Sequence, residues 1–193
     1  MYKERRYGRD VFRESREREM LRVLSETGGL ATAEQMEEAR RRGNTKAIER
    51  VGNRSEKAFD EFAFRSCIIK SVINPGPLSD VYDAIDRWIL FVDGFNLPPL
   101  PVQIKSSQRG VQEFKQGNPN QNIRPNYSFK KLHGLILVLN CGPSSNLDIF
   151  DKQLRVEAGR IINAISKDPS STKHLTDITP KKLKDSNSFK IHR

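Results

Sequence analysis

Histidine, cysteine and tryptophan are scarce in this chain: three, two and one among 193 residues. His133, His174 and His192 share no ligand spacing, so a zinc centre is not expected. Cys67 and Cys141 both lie in apolar surroundings, which reads as two reduced core thiols of a cytosolic protein and excludes a disulfide framework. Long hydrophobic runs are also missing. Nothing approaches the roughly 18 apolar residues that cross a bilayer, so no membrane association is expected. Met1 to Arg22 is dense in Arg and Glu and has no apolar stretch, which excludes a secretory signal there. There is no internal repeat.

Charge is what the chain has in excess. Charged residues make up 30% and hydrophobic ones 36%, with a net charge of +10 and a pI near 9.8. A core is affordable in a chain of this length, and the surface is strongly ionic. The positive balance favours polyanionic partners, of which nucleic acid is the commonest; the bland alternative is a merely basic, well-solvated protein.

Three compositional zones follow. Residues 1–52 read as a basic helical extension. Val11, Met20, Leu21 and Leu24 suggest a first helix closed by Gly28-Gly29. Thr32-Ala33-Glu34-Gln35 has the form of a capping box, opening a short helix that ends near Gly43. The pair could form a helix-turn-helix-like DNA reader, or simply pack on the main domain.

Residues 53–166 read as the core. A helix is expected from Ser55 to about Val72, through Phe59, Phe62, Ala63 and Ile69, broken by Asn74-Pro75-Gly76-Pro77. Ala84 to Val92 and Pro101 to Ser106 read as paired strands. Gly117 to Asn126 reads as a loop, and His133 to Leu139 as a strand buried on both faces. Leu147 to Ile165 supplies a closing amphipathic helix. Residues 167–193 hold seven Lys/Arg and three Asp/Glu and read as a flexible basic tail. The fold class expected is α/β, a small central mixed sheet flanked by helices, with the N-terminal helical extension added.

The chemistry lies in the strand pair. Alternation puts Asp86 on the face of Trp88, Leu90 and Val92, and a carboxylate there is costly unless compensated. In the next strand Gln103 and Lys105 share a face. Paired strands would let Asp86, Gln103 and Lys105 converge as oxygen ligands for a hard cation with an ammonium beside them. Glu56 falls on the core-facing stripe of its helix, in what reads as the first turn, where it could equally be a dipole-complementing surface residue. Asp60 and Glu61 lie farther from that stripe, and Asp80 and Asp83 precede Asp86 as alternative ligands.

Gly52-Asn53-Arg54-Ser55-Glu56 opening a helix, Ala84-Ile85-Asp86, and Val102-Gln103-Ile104-Lys105-Ser106-Ser107 together resemble the PD-(D/E)XK nuclease superfamily over about residues 52–140. The resemblance implies a restriction-endonuclease-like core in the order helix, three strands, helix, strand. It implies hydrolysis of phosphodiester bonds, in DNA by expectation, with Mg2+ or Mn2+ as cofactor. Glu56, Asp86, Gln103 and the Ile104 carbonyl would hold the metal, and Lys105 would act on the attacking water. Arg109, Gln112 and Lys115 would face nucleic acid; solvated surface residues are the alternative. Gln103 departs from the usual acidic residue, which keeps open a nuclease fold without catalysis. A basic helical regulatory protein is the further alternative. Homodimers are common in the family, because two sites suit two strands.

Overall fold

A computed structural model describes residues 2–75, 85–95, 97–117, 124 and 126–179. Two long helices come first, α1 (Tyr2–Glu26) and α2 (Ala33–Arg65). Gly28 and Gly29 take φ of +60° and +86° in the turn between them, a conformation that glycine adopts without the Cβ penalty. The capping box forms: Gln35 N donates to Thr32 Oγ1 at 3.2 Å and Thr32 N donates to Gln35 Oε1 at 2.8 Å. The helix it opens does not stop at Gly43. It continues for 33 residues and includes the segment read as the start of a separate core helix. Gly43 is tolerated inside it because α1 passes close by. A Cβ there would lie 2.6 Å from Arg16 Cα and 2.8 Å from the Ser15 carbonyl oxygen. The α1 stripe facing α2 is Val11, Ser15, Glu19 and Val23, while Leu21 is 66% exposed. The buried Glu19 accepts from Lys46 Nζ at 2.6 Å. The pair is thus an antiparallel hairpin of long helices, not a short helix-turn-helix.

After α2 the chain enters a four-stranded sheet of order β1-β2-β3-β4. The strands are β1 (Ile69–Ile73), β2 (Arg87–Phe91), β3 (Leu100–Lys105) and β4 (Leu137–Asn140). The first three form an antiparallel meander, and β4 runs parallel to β3 with Lys105 opposite Asn140. The expected helix to Val72 therefore ends at Arg65, and its last turns are strand β1. Ile68, Ile69, Val72 and Ile73 suit either period, but β-branched side chains pack well along a pleat. The crossover from β3 to β4 carries α3 (Gln108–Gln116) and α4 (Tyr127–Lys131); α5 (Leu147–Lys167) follows β4.

Both faces of the sheet are covered. Val102, Ile104, Leu137 and Leu139 pack with Phe59 and Ala63 of α2 and Phe150, Leu154 and Ile161 of α5. Ile136 and Val138 pack with Val111 and Phe114 of α3 and with Leu132 on the other side. Burial on both faces is why β4 reads as an unbroken apolar run. A polar buttress joins the layers: Glu157 accepts from Lys115 Nζ at 2.5 Å, and Arg160 donates to the Gly134 and Ile136 carbonyls at 2.5 and 2.7 Å.

Two further expectations change. The beginning of the supposed flexible tail is ordered: a turn at Pro169–Ser171 leads into α6 (Thr172–Ile178), whose Leu175 is 1% exposed in the main core. Leu175 and the half-buried Ile178 anchor this short helix, and a charge-rich composition hides them. Cys141 is a core thiol, but Cys67 is exposed, at the bend between α2 and β1. Ala84, Asp80, Asp83, the Gly76-Pro77 breaker, most of the 117–126 loop and residues 180–193 lie outside the described residues. No described helix is long and apolar enough to cross a membrane.

Candidate functional site

The site lies at one end of the sheet, where β2 begins and the parallel strands β3 and β4 end. Arg87 pairs with Val102 across the antiparallel ladder, so both face α2. Asp86, one residue earlier, serves the other side. Its Oδ2 accepts from Gln103 Nε2 and, at 2.5 Å, from the backbone N–H of Ile104. Its own N–H donates to the Val102 carbonyl at 2.9 Å. The carboxylate thus replaces ladder bonds where β2 has just started, and the otherwise expensive charge is satisfied.

Gln103 is 6% exposed, and its Nε2 also lies 3.5 Å from the Ile104 carbonyl oxygen. The amide N–H2 therefore stands between two oxygen acceptors, as a cation would. Lys105 completes the group. Its stem runs along Gly110, where a Cβ would lie 3.5 Å from Lys105 Cβ and 3.7 Å from Cδ. Its Nζ stands 4.8 Å from the centre of the Phe114 ring. Gly110 and Phe114 are one helical turn apart on α3, so a single helix face forms this channel. Burial pushes the Lys105 ammonium below the ordinary lysine pKa of 10.5, and the nearby Asp86 charge partly opposes that shift. Helix α3 starts immediately beyond, with Ser107 Oγ accepting from Gly110 N at 3.1 Å.

Glu56 is placed elsewhere. It sits well inside α2, not in a first turn, and its Oε2 lies 3.2 Å from Arg87 Nη1. Asp60, one turn along, takes the same guanidinium through two bonds of 2.9 Å. The hydrogen bonds from Arg87 to Asp60, with the nearby Glu56 charge, outweigh burial and raise the arginine pKa further. Arg87 Nη1 also donates to the Asp86 carbonyl at 2.7 Å. Sequence reading missed this clamp. Its signal was present: Glu56 and Asp60 are spaced i, i+4, and an arginine adjoins the candidate aspartate.

Among the expected nucleic-acid contacts, Arg109 and Gln112 are exposed on α3, with Arg109 paired to Glu113 at 2.7 Å. Lys115 is turned inward to Glu157. It holds α3 to α5 rather than facing outward.

The donor set can be tested against a divalent cation. Among the described residues no three His, Cys, Asp or Glu side chains form a metal-holding group. What converges is one carboxylate, one amide and one backbone carbonyl, from Asp86, Gln103 and Ile104. With the Gln103 amide turned so that its oxygen replaces the N–H2 now facing Asp86, that set fits a hard cation of the Mg2+ type, which keeps most of its waters and takes one or two carboxylates plus substrate phosphate. It does not fit a tightly held structural ion.

No protein-family model matches this sequence, and neither a curated protein nor a solved structure matches it.

Proposed function

We propose that the chain is a metal-dependent nuclease that hydrolyses phosphodiester bonds, in DNA first of all, on a restriction-endonuclease-like core. The observation that carries this reading is the meeting of Asp86, Gln103 and a partly desolvated Lys105 at one sheet end. The element order supports it: helix, three-stranded meander, helix, then a strand parallel to the third. The net charge of +10 supplies attraction for a polyanion.

Asp86, the Ile104 carbonyl and the Gln103 amide, flipped so that its oxygen takes the place of the N–H2 now donating to Asp86, would hold Mg2+ or Mn2+, which when bound lowers the pKa of its water and offsets phosphate charge. Lys105 then acts from a fixed channel. A lowered pKa brings the amine nearer to proton exchange with an attacking water, and the protonated form balances negative charge growing on the phosphate. The N–H groups opening α3 beside Lys105 favour an anion in the same place.

The test is incubation with supercoiled, linear and single-stranded DNA in Mg2+, Mn2+ or chelator. Cleavage should need the metal and vanish in Asp86→Ala and in Lys105→Ala, with circular dichroism unchanged. Full activity in either purified variant removes that residue from the mechanism.

One observation favours a second reading, a nuclease fold that binds nucleic acid without cutting it. Arg87 holds both Glu56 and Asp60 on the α2 side, which leaves Asp86 as the single carboxylate of the cluster among the described residues. Mn2+ titration separates the two: a catalyst takes up metal through Asp86, whereas a pure binding module shows no Asp86-dependent uptake.

A further inference from the structure

A cleft of about 290 Å³ opens between α2 and the turn that follows β4. Its α2 wall carries the exposed Arg54, Lys57 and Glu61 with the half-buried Val51, Ala58 and Phe62; Pro143 lines it from the turn. The opposite wall is anchored to the candidate site. Cys141 N donates to the Lys105 carbonyl at 2.8 Å, and a Cβ at Gly142 would collide with the Ser106 carbonyl oxygen. The cleft and the Asp86–Gln103–Lys105 group therefore occupy the same end of the sheet, back to back across the last residues of β3 and β4. Crevices outside the carboxyl ends of parallel strands are where α/β sheets commonly take ligands.

The lining specifies the ligand's chemistry. Ser55 Oγ and Ser145 Oγ donate to the Val51 and Asn140 carbonyls at 3.1 and 3.0 Å. The backbone N–H groups of Cys141, Gly142 and Ser145 are likewise engaged. Arg54 and Lys57, three residues apart on one helix face, set two cations beside the apolar side chains against the single anion of the lining, Glu61, which lies 3.8 Å from Arg65. A flat apolar ring with a phosphate at its edge matches that arrangement, and this is the outline of a nucleotide. The volume lies at the small end of the ~300–1,000 Å³ usual for ligand clefts, which suits one unpaired nucleotide and not a base pair.

We infer that this cleft seats an unpaired nucleotide flanking the bond held at Asp86 and Lys105, and so selects single-stranded or frayed nucleic acid as substrate. The inference rests on the phosphodiester reading of the neighbouring group for its purpose, but its test does not need cleavage.

The full chain in chelator is titrated with a fluorescein-labelled ten-nucleotide single strand and with the same sequence as a blunt duplex. Lys57→Glu and Arg54→Glu are compared with Arg41→Glu, an equal charge reversal at an exposed position on the hairpin. The single strand should bind tighter than the duplex. Each cleft reversal should cost roughly tenfold in single-strand affinity and lower the log-affinity against log-salt slope by about 0.7, one phosphate contact; Arg41→Glu should do neither. Adenosine 5′-monophosphate should shift the Val51 and Ala58 methyl resonances saturably in the unsubstituted chain. Equal losses in all three variants, equal affinity for duplex, or unmoved methyls overturn the inference. If those results appear as expected while no metal supports cutting, the nuclease reading fails and the cleft stands. If cutting proceeds and Lys57→Glu binds normally, the reverse holds.

Discussion

Replacing Gln103 by Glu tests the candidate metal site without deleting anything from it. In the native chain the Gln103 amide donates to Asp86 Oδ2, at a position only 6% exposed. Gln103→Glu removes that bond and sets a second carboxylate against the first. A hydrogen bond to a charged group is worth about 1.5–3 kcal/mol. Two like charges in contact also force one carboxyl to keep a proton, at about 1.4 kcal/mol per pKa unit of elevation. In chelator at neutral pH the variant should therefore lose about 3–4 kcal/mol. With a urea m-value of about 2 kcal/mol/M, that lowers the midpoint by roughly 1.5–2 M. The sign with pH follows from linkage. The folded pair titrates above its unfolded value, so the deficit is fullest at neutral pH and shrinks as pH falls towards about 4. Divalent metal should reverse the effect. Two carboxylates bind Mn2+ better than one, and metal at a hundred times Kd restores about 2.7 kcal/mol. The assay is urea unfolding by circular dichroism in chelator, Mg2+ and Mn2+. A variant as stable as the native chain in chelator, or one with no greater Mn2+ response, refutes the assignment of this pair.

Other outcomes can be fixed in advance. Gly43→Ala would stabilise an exposed helix by about 1 kcal/mol, but here the new Cβ meets the α1 backbone. Overpacking of about 1–3 kcal/mol should win, and thermal melting should show a net loss; a higher melting temperature would contradict the close helix approach. Glu19 is held below the ordinary 4.5, chiefly by its Lys46 hydrogen bond and then, against the opposing cost of burial, by the nearby Arg22, Lys46 and Arg42 charges. Its stabilisation is present above the unfolded value and is lost as pH falls through the folded one. Amide exchange in α1 should accelerate below about pH 4, and Glu19→Gln should flatten that response. Leu175→Ala should cost about 2–5 kcal/mol, as for a core leucine. An unchanged unfolding midpoint would return residues 172–178 to the status of a loose tail.

Much of this arrangement is legible in the residues, and the exceptions have physical causes. The capping box at Thr32, the strands around Trp88 and Ile104 and the helix from Leu147 follow from local pattern, because each buries one periodic stripe against the core. Asp86, Gln103 and Lys105 could be brought together on paper because strand alternation is strict and antiparallel neighbours are predictable. What failed depends on distant parts of the chain. Gly43 looks like a stop signal until α1 is laid against it. Ile68 to Ile73 fits either period, and the sheet edge decides the matter. Lys115 looks like a surface cation because Glu157, its partner 42 positions away, lies on another helix. The destination of Glu56 turned on Arg87, whose side chain a shift of one residue along β2 would have sent to the opposite face.

The unbroken course of α2 has a mechanical result. At about 1.5 Å per residue its 33 residues make a rod of roughly 50 Å, with the paired arm at one end and Phe59 and Ala63 in the core at the other. The Glu56 and Asp60 grip on Arg87 lies near the inner end of that rod, one bond from Asp86. Without a loop between arm and core, a load applied at the Gly28-Gly29 tip would be carried along one continuous helix to the residues that grip Arg87, next to the candidate carboxylate. Grip at the periphery and geometry at the centre are two ends of one lever.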